Sequence, residues 1–445
     1  MIRVRDGIVA AAAFAAAASL GFAQAPATQP SPAELMAQIR SLQAQVNDMK
    51  AVQTEQSVAN QKEIDATVDR VLNDANRRSK VLDVEGFTAG YDHGRFVLRS
   101  SDGAFSFSPM AQLQFRYSTA YNSAGSGDTQ SGFELRRTKF GFDGTAFTKD
   151  LYYFFLWNTA NGGTNAGNLN LEQAFVRYQL NHDFALQGGQ YTDPAVHEQN
   201  VSSKKQLLVE RSELDHIITG TSEAYDQAVG LYYNPSDSAW KGTVAFTDGF
   251  NSFDTNFQDE PTNPTDFGAS ARVEYKFMGN WGDYGQFTAL GDKDELLVAG
   301  AGVAFTEGNS TNSVIHTADV QYDNPNGLSA YGAFLANYIS NDTTNSYNYG
   351  FLGQVGYLLP NQNHWEIFGR YDWTKLDHAA TIAGSTEDNF HELTGGVNYY
   401  FFGQNAKATV DLSYLPNGTP GSGSTDQTAT TDNEFVLRAQ FQLLL

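Results

Sequence analysis

The sequence predicts an all-β fold, a 16-stranded antiparallel transmembrane β-barrel preceded by a periplasmic helical coiled coil. From Val84 to the last residue, polar and apolar residues alternate with a period of two, which is typical of strands with one wet and one apolar face. The connections between the alternating segments are short and long in turn, as in barrels of bacterial outer membranes. The 445 residues include 41 Gly, 22 Tyr and 31 Phe, with no long apolar run after residue 25. This composition suits many half-exposed strands better than packed soluble domains.

The first 25 residues predict a secretory signal peptide. Arg3 and Arg5 precede a small apolar core from Ile8 to Phe22, and Ala23-Gln24-Ala25 fits the A-x-A cleavage pattern. A buried N-terminal helix is the alternative interpretation. Residues 26–32 contain Pro30 and Pro32 and predict a flexible lead. We therefore expect the mature chain to begin near Pro26, outside the cytoplasm.

Residues 33–80 predict a periplasmic coiled coil. The stretch from Ser31 to Lys80 has no aromatic residue and no Gly, and its apolar residues are spaced alternately four and three apart, as in a heptad seam. The first seam positions are Leu35, Ile39, Leu42, Val46 and Met49. The register is lost between Gln53 and Gln61 and resumes at Ile64. A lone amphipathic helix lying on the barrel is the alternative, but nothing else in this segment could bury the seam.

Residues 84–445 predict the barrel itself. Alternation of polar and apolar residues marks sixteen candidate strands, which are 106–121, 133–147, 151–159, 169–180, 184–190, 225–234, 239–247, 265–277, 296–305, 313–323, 328–339, 347–359, 364–375, 390–402, 406–415 and 434–445. In the last strand, Phe435, Leu437 and Phe441 share one side, and Arg438 and Gln440 share the other. An outer membrane can accept the apolar side directly, and the polar side then lines water.

The connections indicate how such a barrel would be oriented. Short polar turns such as Asn324-Pro-Asn-Gly alternate with longer loops rich in Gly, Ser, Thr, Asn and Asp. This rhythm predicts both chain ends in the periplasm and the long loops outside the cell. A soluble β-sandwich would show the same alternation but would rarely keep the loop rhythm. The connection 278–295 is long on the short side, and the sequence offers no reason for it.

Several motifs between Gly90 and Ser212 resemble the phosphate-selective porin O and P family. They are Phe133-Glu-Leu-Arg-Arg, Gly141-Phe-Asp-Gly, Leu171-x-x-Ala-Phe-Val-Arg-Tyr, Gly188-Gly-Gln-Tyr-Thr-Asp-Pro and Val209-Glu-Arg-Ser. The resemblance implies an outer-membrane porin of a Gram-negative-type bacterium that assembles as a homotrimer. It also implies that a loop at 191–224 folds inward and narrows the channel, with basic residues of the loop and wall helping anions to pass. The arginine ladder and lysine ring of the phosphate-specific members cannot be placed residue by residue.

The predicted lumen is richer in positive charge than the chain as a whole. The polar strand faces carry ten basic and eight acidic residues, whereas the whole chain has 28 basic and 50 acidic residues. Charged rings in a pore set its ion preference. We expect the constriction and lumen sites to be Lys204, Lys205, Arg211, Arg116, Lys139, Arg177 and Arg370. The alternative is that these residues only pair across strands and solvate the wall.

The sequence argues against other functional classes. It has no cysteine, no Gly-x-Ser-x-Gly and no second histidine four residues after His391-Glu392, so we expect no enzyme, cofactor or metal site. A net charge of −22 argues against nucleic acid. Acidic loops at 248–266 and 372–388 are solvated surface or, alternatively, calcium ligands. Two functions remain, which are a channel for small hydrophilic solutes that prefers anions or phosphate, and a structural tether whose coiled coil contacts peptidoglycan or the cell wall.

Overall fold

A computed structural model gives the architecture of most of the chain. It describes residues 86–92, 95–122, 129–159, 167–253, 265–308, 310–360, 364–382, 385–421, 427, 430 and 432–445, and nine positions between 33 and 50 (33, 36, 37, 40, 41, 43, 44, 47 and 50). The nine positions are helical and exposed. The predicted signal peptide (1–25) and lead (26–32) lie outside the described residues, as do the remaining positions of the predicted coiled coil (33–80). None of the helices formed by the described residues is long and apolar enough to cross a bilayer.

The described chain consists of eighteen strands and a few short helices. The strands are β1 Phe87–Asp92, β2 Arg95–Ser100, β3 Ser106–Asn122, β4 Thr129–Ala146, β5 Thr148–Thr159, β6 Leu169–Gln179, β7 Phe184–Thr192, β8 Tyr225–Tyr233, β9 Trp240–Thr247, β10 Phe267–Met278, β11 Leu296–Gly308, β12 Thr311–Asp323, β13 Leu328–Asn341, β14 Asn345–Leu358, β15 Trp365–Ile382, β16 Ser385–Tyr400, β17 Ala406–Leu415 and β18 Glu434–Leu444. The helices are α1 His197–Asn200, α2 Glu213–Thr219 and a 3-10 turn at Asp283–Gly285.

Strands β3 to β18 form a closed antiparallel barrel of sixteen strands, which confirms the predicted barrel. Each strand pairs with its neighbour in sequence, and β18 closes the ring against β3 with Arg116 opposite Gln440. Closure leaves no unpaired edge, so the backbone groups of every wall strand are satisfied within the barrel, as a lipid environment requires. All sixteen predicted strands are present.

The hairpin β1–β2 was not predicted and lies outside the ring. It pairs with β3 only through Leu98 opposite Phe107 and Arg99 opposite Ser106. Phe87, Tyr91 and Phe96 are all exposed. Because the side chains of its short strands are mostly exposed, the period-two pattern from Val84 did not resolve it into two strands, and the first candidate strand began at 106.

The candidate strands 133–147 and 151–159 leave residues 148–150 for a turn, and this placement is wrong by one residue. The chain reverses at Phe147, which has a φ of 65°, and Thr148 already pairs with Ala146. A phenylalanine in the left-handed region is unusual, so residue type did not indicate a turn there.

The two faces of the wall differ in polarity as the alternation predicts. In β18, Phe435, Leu437 and Phe441 are exposed on the outside, whereas Arg438 and Gln440 are buried inside. Large apolar side chains are exposed around the whole ring, from Phe115 on β3 to Phe441 on β18. This outer apolar surface is what a lipid-facing barrel presents.

Two segments fold into the barrel from opposite ends. The inner loop (residues 193–224, between β7 and β8) enters from the end that carries the longer loops, called here the long-loop end. The inner connection (residues 279–295, between β10 and β11) enters from the other, short-turn end. The two meet where the Phe287 backbone N–H donates to the Lys205 carbonyl at 3.3 Å. This meeting accounts for the unusual length of the inner connection.

An apolar core packs the inner loop against one side of the lumen. Inner-loop side chains such as Leu207, Leu214 and Ile218 pack with Phe287 of the inner connection against wall residues of β11 to β15, among them Leu335. Helix α2 begins at Ser212, whose hydroxyl accepts from the Asp215 N–H, and ends at left-handed Gly220. The inner loop is therefore a packed element rather than a solvated one.

Candidate functional site

Side chains of the barrel wall hold the inner loop inside the lumen by donating hydrogen bonds to its backbone carbonyls. On one side Gln114 of β3 donates to the Ser203 carbonyl at 3.3 Å, and Gln442 of β18 donates to the Lys204 carbonyl at 3.0 Å. Asn398 of β16, two strands from β18 in the ring, donates to the Leu207 carbonyl at 2.9 Å, and Asn337 of the more distant β13 donates to the Ile218 carbonyl at 3.1 Å. These wall residues come from strands that are well separated in sequence. Their contacts fix where the loop's side chains point.

The Glu210 carboxylate ties the loop to both β3 and β4, and Glu223 of the loop adds an ion pair to β4. The Glu210 oxygens lie 2.5 Å from Arg116 Nη2, 2.7 Å from Arg136 Nε and 3.2 Å from Arg137 Nη2. Burial alone would raise the pKa of the Glu210 carboxyl, but the three guanidinium groups hold that pKa well below its usual value. The carboxylate therefore stays ionised, and we call this group the Glu210 clasp.

A β-bulge explains how two consecutive arginines reach the same carboxylate. Gln114 pairs with Arg137 and Phe115 pairs with Leu135, so Arg136 is the extra residue of β4. Strict alternation would send Arg136 and Arg137 to opposite faces of the wall, and a bulge re-aims one of them. The sequence therefore gave no indication that Arg136 belongs to the site.

Arg370 and Arg211 hold the same stretch of loop from two further directions. Arg370 of β15 donates to the carbonyls of Glu210 and Arg211 at 3.0 and 3.1 Å, and it also pairs with Glu392 at 2.9 Å. Arg211 donates to the Glu198 carbonyl at 3.0 Å and pairs with Glu223 at 2.7 Å. The Val209-Glu-Arg-Ser motif thus works as the anchor of the loop.

A cavity of about 650 Å³ lies between the inner loop and the wall formed by β3 to β8. Its lining includes six basic side chains and two acidic ones, which are Arg95, Lys139, Arg177, Lys204, Lys205 and Arg211 against Asp143 and Glu223. At the short-turn end its lining reaches Gln404 and Leu445. The inner loop packs against the opposite wall, and this cavity is the candidate space for a solute.

Three of the basic residues have no acidic partner. Arg95 pairs with Asp143, Lys139 lies 2.7 Å from Glu172 and 3.2 Å from Glu223, and Arg211 pairs with Glu223. Among the described residues, no carboxylate forms an ion pair with the remaining three, which are Lys204, Lys205 and Arg177.

The environment of Lys204 favours an anion. Burial, together with the nearby positive charges of Lys205, Arg95 and Lys139, lowers the pKa of the Lys204 ammonium. Crowded positive charges repel one another even with the Asp143 carboxylate nearby, and an anion bound among them would relieve that repulsion. The backbone of both lysines is fixed by Gln442 and Phe287. The two ammonium groups therefore extend from an anchored segment.

The seven predicted site residues fall into two groups in the structure. Five line the cavity, and they are Lys204, Lys205, Arg211, Lys139 and Arg177. Arg116 and Arg370 are buried in contact with the inner loop and do not line the cavity. Sequence reasoning missed Arg95 and a set of lumen-facing aromatic residues that also line the cavity. Among the described residues, no group of three or more His, Asp or Glu side chains is arranged to hold a metal ion.

Comparison with known proteins supports a porin fold. The family model described as phosphate-selective porin O and P matches residues 110–293, a range that includes the Glu210 clasp, the inner loop and most of the inner connection. No curated protein sequence matches the chain.

Among solved structures, several outer-membrane proteins share the architecture. An anion-selective porin from Comamonas acidovorans is 11% identical with a TM-score of 0.57, and the match covers 77% of this chain and 100% of that one. The outer membrane channel DcaP of Acinetobacter baumannii is 13% identical with a TM-score of 0.51, covering 78% and 99%. Salmonella typhi OmpF in complex with daunomycin is 15% identical with a TM-score of 0.51, covering 76% and 98%. At these identities the likeness concerns the fold alone.

Proposed function

We propose that this chain is an outer-membrane porin, a water-filled channel through which small hydrophilic solutes diffuse, and that it prefers anions. The observation that carries the proposal is the lumen cavity, whose lining has three basic residues that form no ion pair with any carboxylate in the described part of the chain. The closed barrel with an apolar exterior supports a membrane location, and so does the match to the porin family model. Phosphate is one anion that the family resemblance favours.

The local lysines outweigh the acidic character of the whole chain. At an effective dielectric constant of about 20, a unit charge about 6 Å from an anion contributes on the order of 1 kcal/mol or more. Acidic residues elsewhere in the chain act through salt solution, where the Debye length is about 8 Å at physiological ionic strength. Their field is therefore largely screened at the cavity, although the net charge is −22.

The test is the reversal potential in a planar bilayer under a salt gradient. Lys204→Glu with Lys205→Glu shifts the reversal potential toward cations. The control is Lys149→Glu with Lys293→Glu, which makes the same change in net charge at exposed positions that do not line the cavity. If the two double variants shift the potential equally, or neither does, the lysine pair does not set the ion preference. A protein that folds but does not conduct would overturn the channel itself.

The homotrimer, the periplasmic coiled coil and its contact with peptidoglycan or the cell wall remain part of the proposal. They rest on the heptad seam of residues 33–80, which needs neighbouring helices to bury it. Removing Ser31 to Lys80 is expected to weaken the trimer and leave the barrel folded, because the barrel's strand ladder starts beyond this segment. Light scattering in mild detergent checks this, and a monomeric native protein would contradict it.

A further inference from the structure

An unbroken row of aromatic rings lines the wall of the basic cavity. The row consists of Tyr152 and Phe154 on β5, Phe175 on β6, Tyr191 on β7 and Tyr232 on β8, and all five residues border the cavity. The rings of Phe154 and Phe175 are stacked with centroids 5.3 Å apart, and Phe175 meets Tyr191 edge-on at 6.0 Å. Tyr191 lies 6.4 Å from Tyr232. The row therefore forms one surface across four strands.

The position of these rings is unusual for a channel wall. The lumen side of an outer-membrane barrel is normally polar, because it faces water. On β5, however, Tyr152, Phe154 and Leu156 all border the cavity, while Phe155 and Trp157 stack with each other on the opposite side of the strand. Phe154 and Phe175 remain only half-buried, since the inner loop packs against the other side of the lumen. Apolar surface left open to water is costly unless something covers it.

The basic groups border the same cavity as the aromatic row. The Arg177 guanidinium joins the two features, since its central carbon lies 4.6 Å from the centroid of Tyr232 and 5.9 Å from that of Phe175. Its Nε donates to Gln187 at 2.7 Å, which fixes the plane of the group. Lys204 and Lys205 border this cavity from the inner loop. The cavity is therefore amphipathic, with one apolar aromatic surface and one positively charged surface.

We propose that this cavity binds organic anions that carry a flat apolar body, of which aromatic carboxylates are the simplest. The carboxylate would be held by Lys204, Lys205 and Arg177, and the ring would lie against Phe154 and Phe175. Inorganic anions and short aliphatic carboxylates would contact only the basic side chains, and the aromatic rings would stay exposed to water. The inference rests on the proposed anion channel and names the class of solute that its cavity favours.

The experiment measures block of the chloride current through single channels by benzoate and by acetate at pH 8. Both probes carry one carboxylate, and only benzoate has a ring. Benzoate is expected to reach half-block at a concentration roughly ten-fold lower than acetate. A gain in affinity of this size is what burying part of one face of the benzoate ring against part of one protein ring would give. Phe154→Ala is expected to remove most of this difference, so that benzoate and acetate reach half-block at similar concentrations in the variant.

A matched control comes from the adjacent residue of the same strand. Phe155→Ala also removes a ring, but that ring packs against Phe142 and Trp157 away from the cavity, so the benzoate preference should persist. Phe154→Leu keeps most of the side-chain volume and serves if the alanine variant does not fold. It should give an intermediate preference.

The outcomes separate this inference from the channel proposal. A channel that prefers anions but is blocked equally by benzoate and acetate would overturn the binding of aromatic carboxylates and leave the channel intact. A benzoate preference that Phe155→Ala abolishes, or that both Phe154 variants retain in full, would also overturn the role of the row. Absence of any conductance would instead contradict the proposed function.

Discussion

Replacing Glu210 by glutamine should release the inner loop from the wall without unfolding the barrel. The carboxylate is 5% exposed and contacts Arg116, Arg136 and Arg137, of which Arg116 is fully buried. Glutamine has nearly the same size but no charge, so the variant leaves three guanidinium groups crowded together. The strand ladder includes no residue of the inner loop and is unaffected.

The expected size of the effect follows from the three contacts. At an effective dielectric constant of about 20, two opposite charges about 4 Å apart attract by about 4 kcal/mol, and desolvation offsets much of that gain. Removing one partner of a buried pair typically costs about 3–5 kcal/mol, because the other charge is left uncompensated. A cost of about 3 kcal/mol changes a docking equilibrium more than a hundred-fold. The loop should therefore leave its docked position for a measurable fraction of the time.

Trypsin digestion and single-channel recording check this prediction. In the native protein Lys205 and Arg211 are held in the lumen, so cleavage after them should be slow, whereas Glu210→Gln should be cut there and show larger, noisier conductance. Glu134→Gln is the control, since Glu134 lies 3.4 Å from the same Arg116 but belongs to β4 rather than to the loop. Adding Arg136→Gln to Glu210→Gln should restore part of the protection, because it removes one of the crowded charges. Protection and conductance equal to wild type in Glu210→Gln would refute the anchoring role.

Two further predictions concern the docking of the same loop. Burial raises the pKa of the Glu213 carboxyl to about 8, with Glu392 adding to the effect, so its contribution to docking is full below about pH 4.5 and is lost as the pH rises through about 8. Trypsin protection should fall over that range in wild type but stay constant in Glu213→Gln, and identical profiles would exclude Glu213 as the cause. Gly302→Ala should displace the loop and lower protection, because its new Cβ would clash with the Ala195 carbonyl, whereas Gly353→Ala, which meets nothing within 4 Å, should behave as wild type.

The barrel could be predicted because its strands repeat one physical signal. A wall that separates lipid from a polar interior forces side chains to alternate in polarity, and each strand carries this pattern locally. The prediction of strand ends failed where a strand extends beyond the apolar surface and its residues no longer alternate in polarity. Strand β15 was expected to end at Lys375, but it extends to Ile382. Strand β16 was expected to begin at Phe390, but it already begins at Ser385. Their polar ends contain Asp377, His378, Glu387 and Asp388 and have no apolar face to mark them.

Residues of the candidate site could be predicted only where their type and their neighbours in the sequence indicated a role. Adjacent lysines in a long apolar loop indicated Lys204 and Lys205 as candidates, and both border the cavity. Arg136 could not be identified, because a bulge rather than alternation sets its direction. The inner connection could not be placed either, since what holds it is contact between distant residues, such as Phe287 against Tyr331 with ring centroids 4.6 Å apart.

Counting charges along the chain is a poor guide to the charge that a solute would meet. Most lumen charges neutralise one another or hold the inner loop, as in the pairs Arg272–Asp319 at 2.8 Å and Arg438–Asp411 at 3.4 Å. Within the described ranges, only three bases line the cavity and form no ion pair with a carboxylate, and they are Lys204, Lys205 and Arg177. A solute that crosses this cavity passes close to them. Ion preference in this barrel therefore depends on which charges the inner loop leaves unpaired, and the Glu210 clasp, by holding the loop, decides where those charges lie.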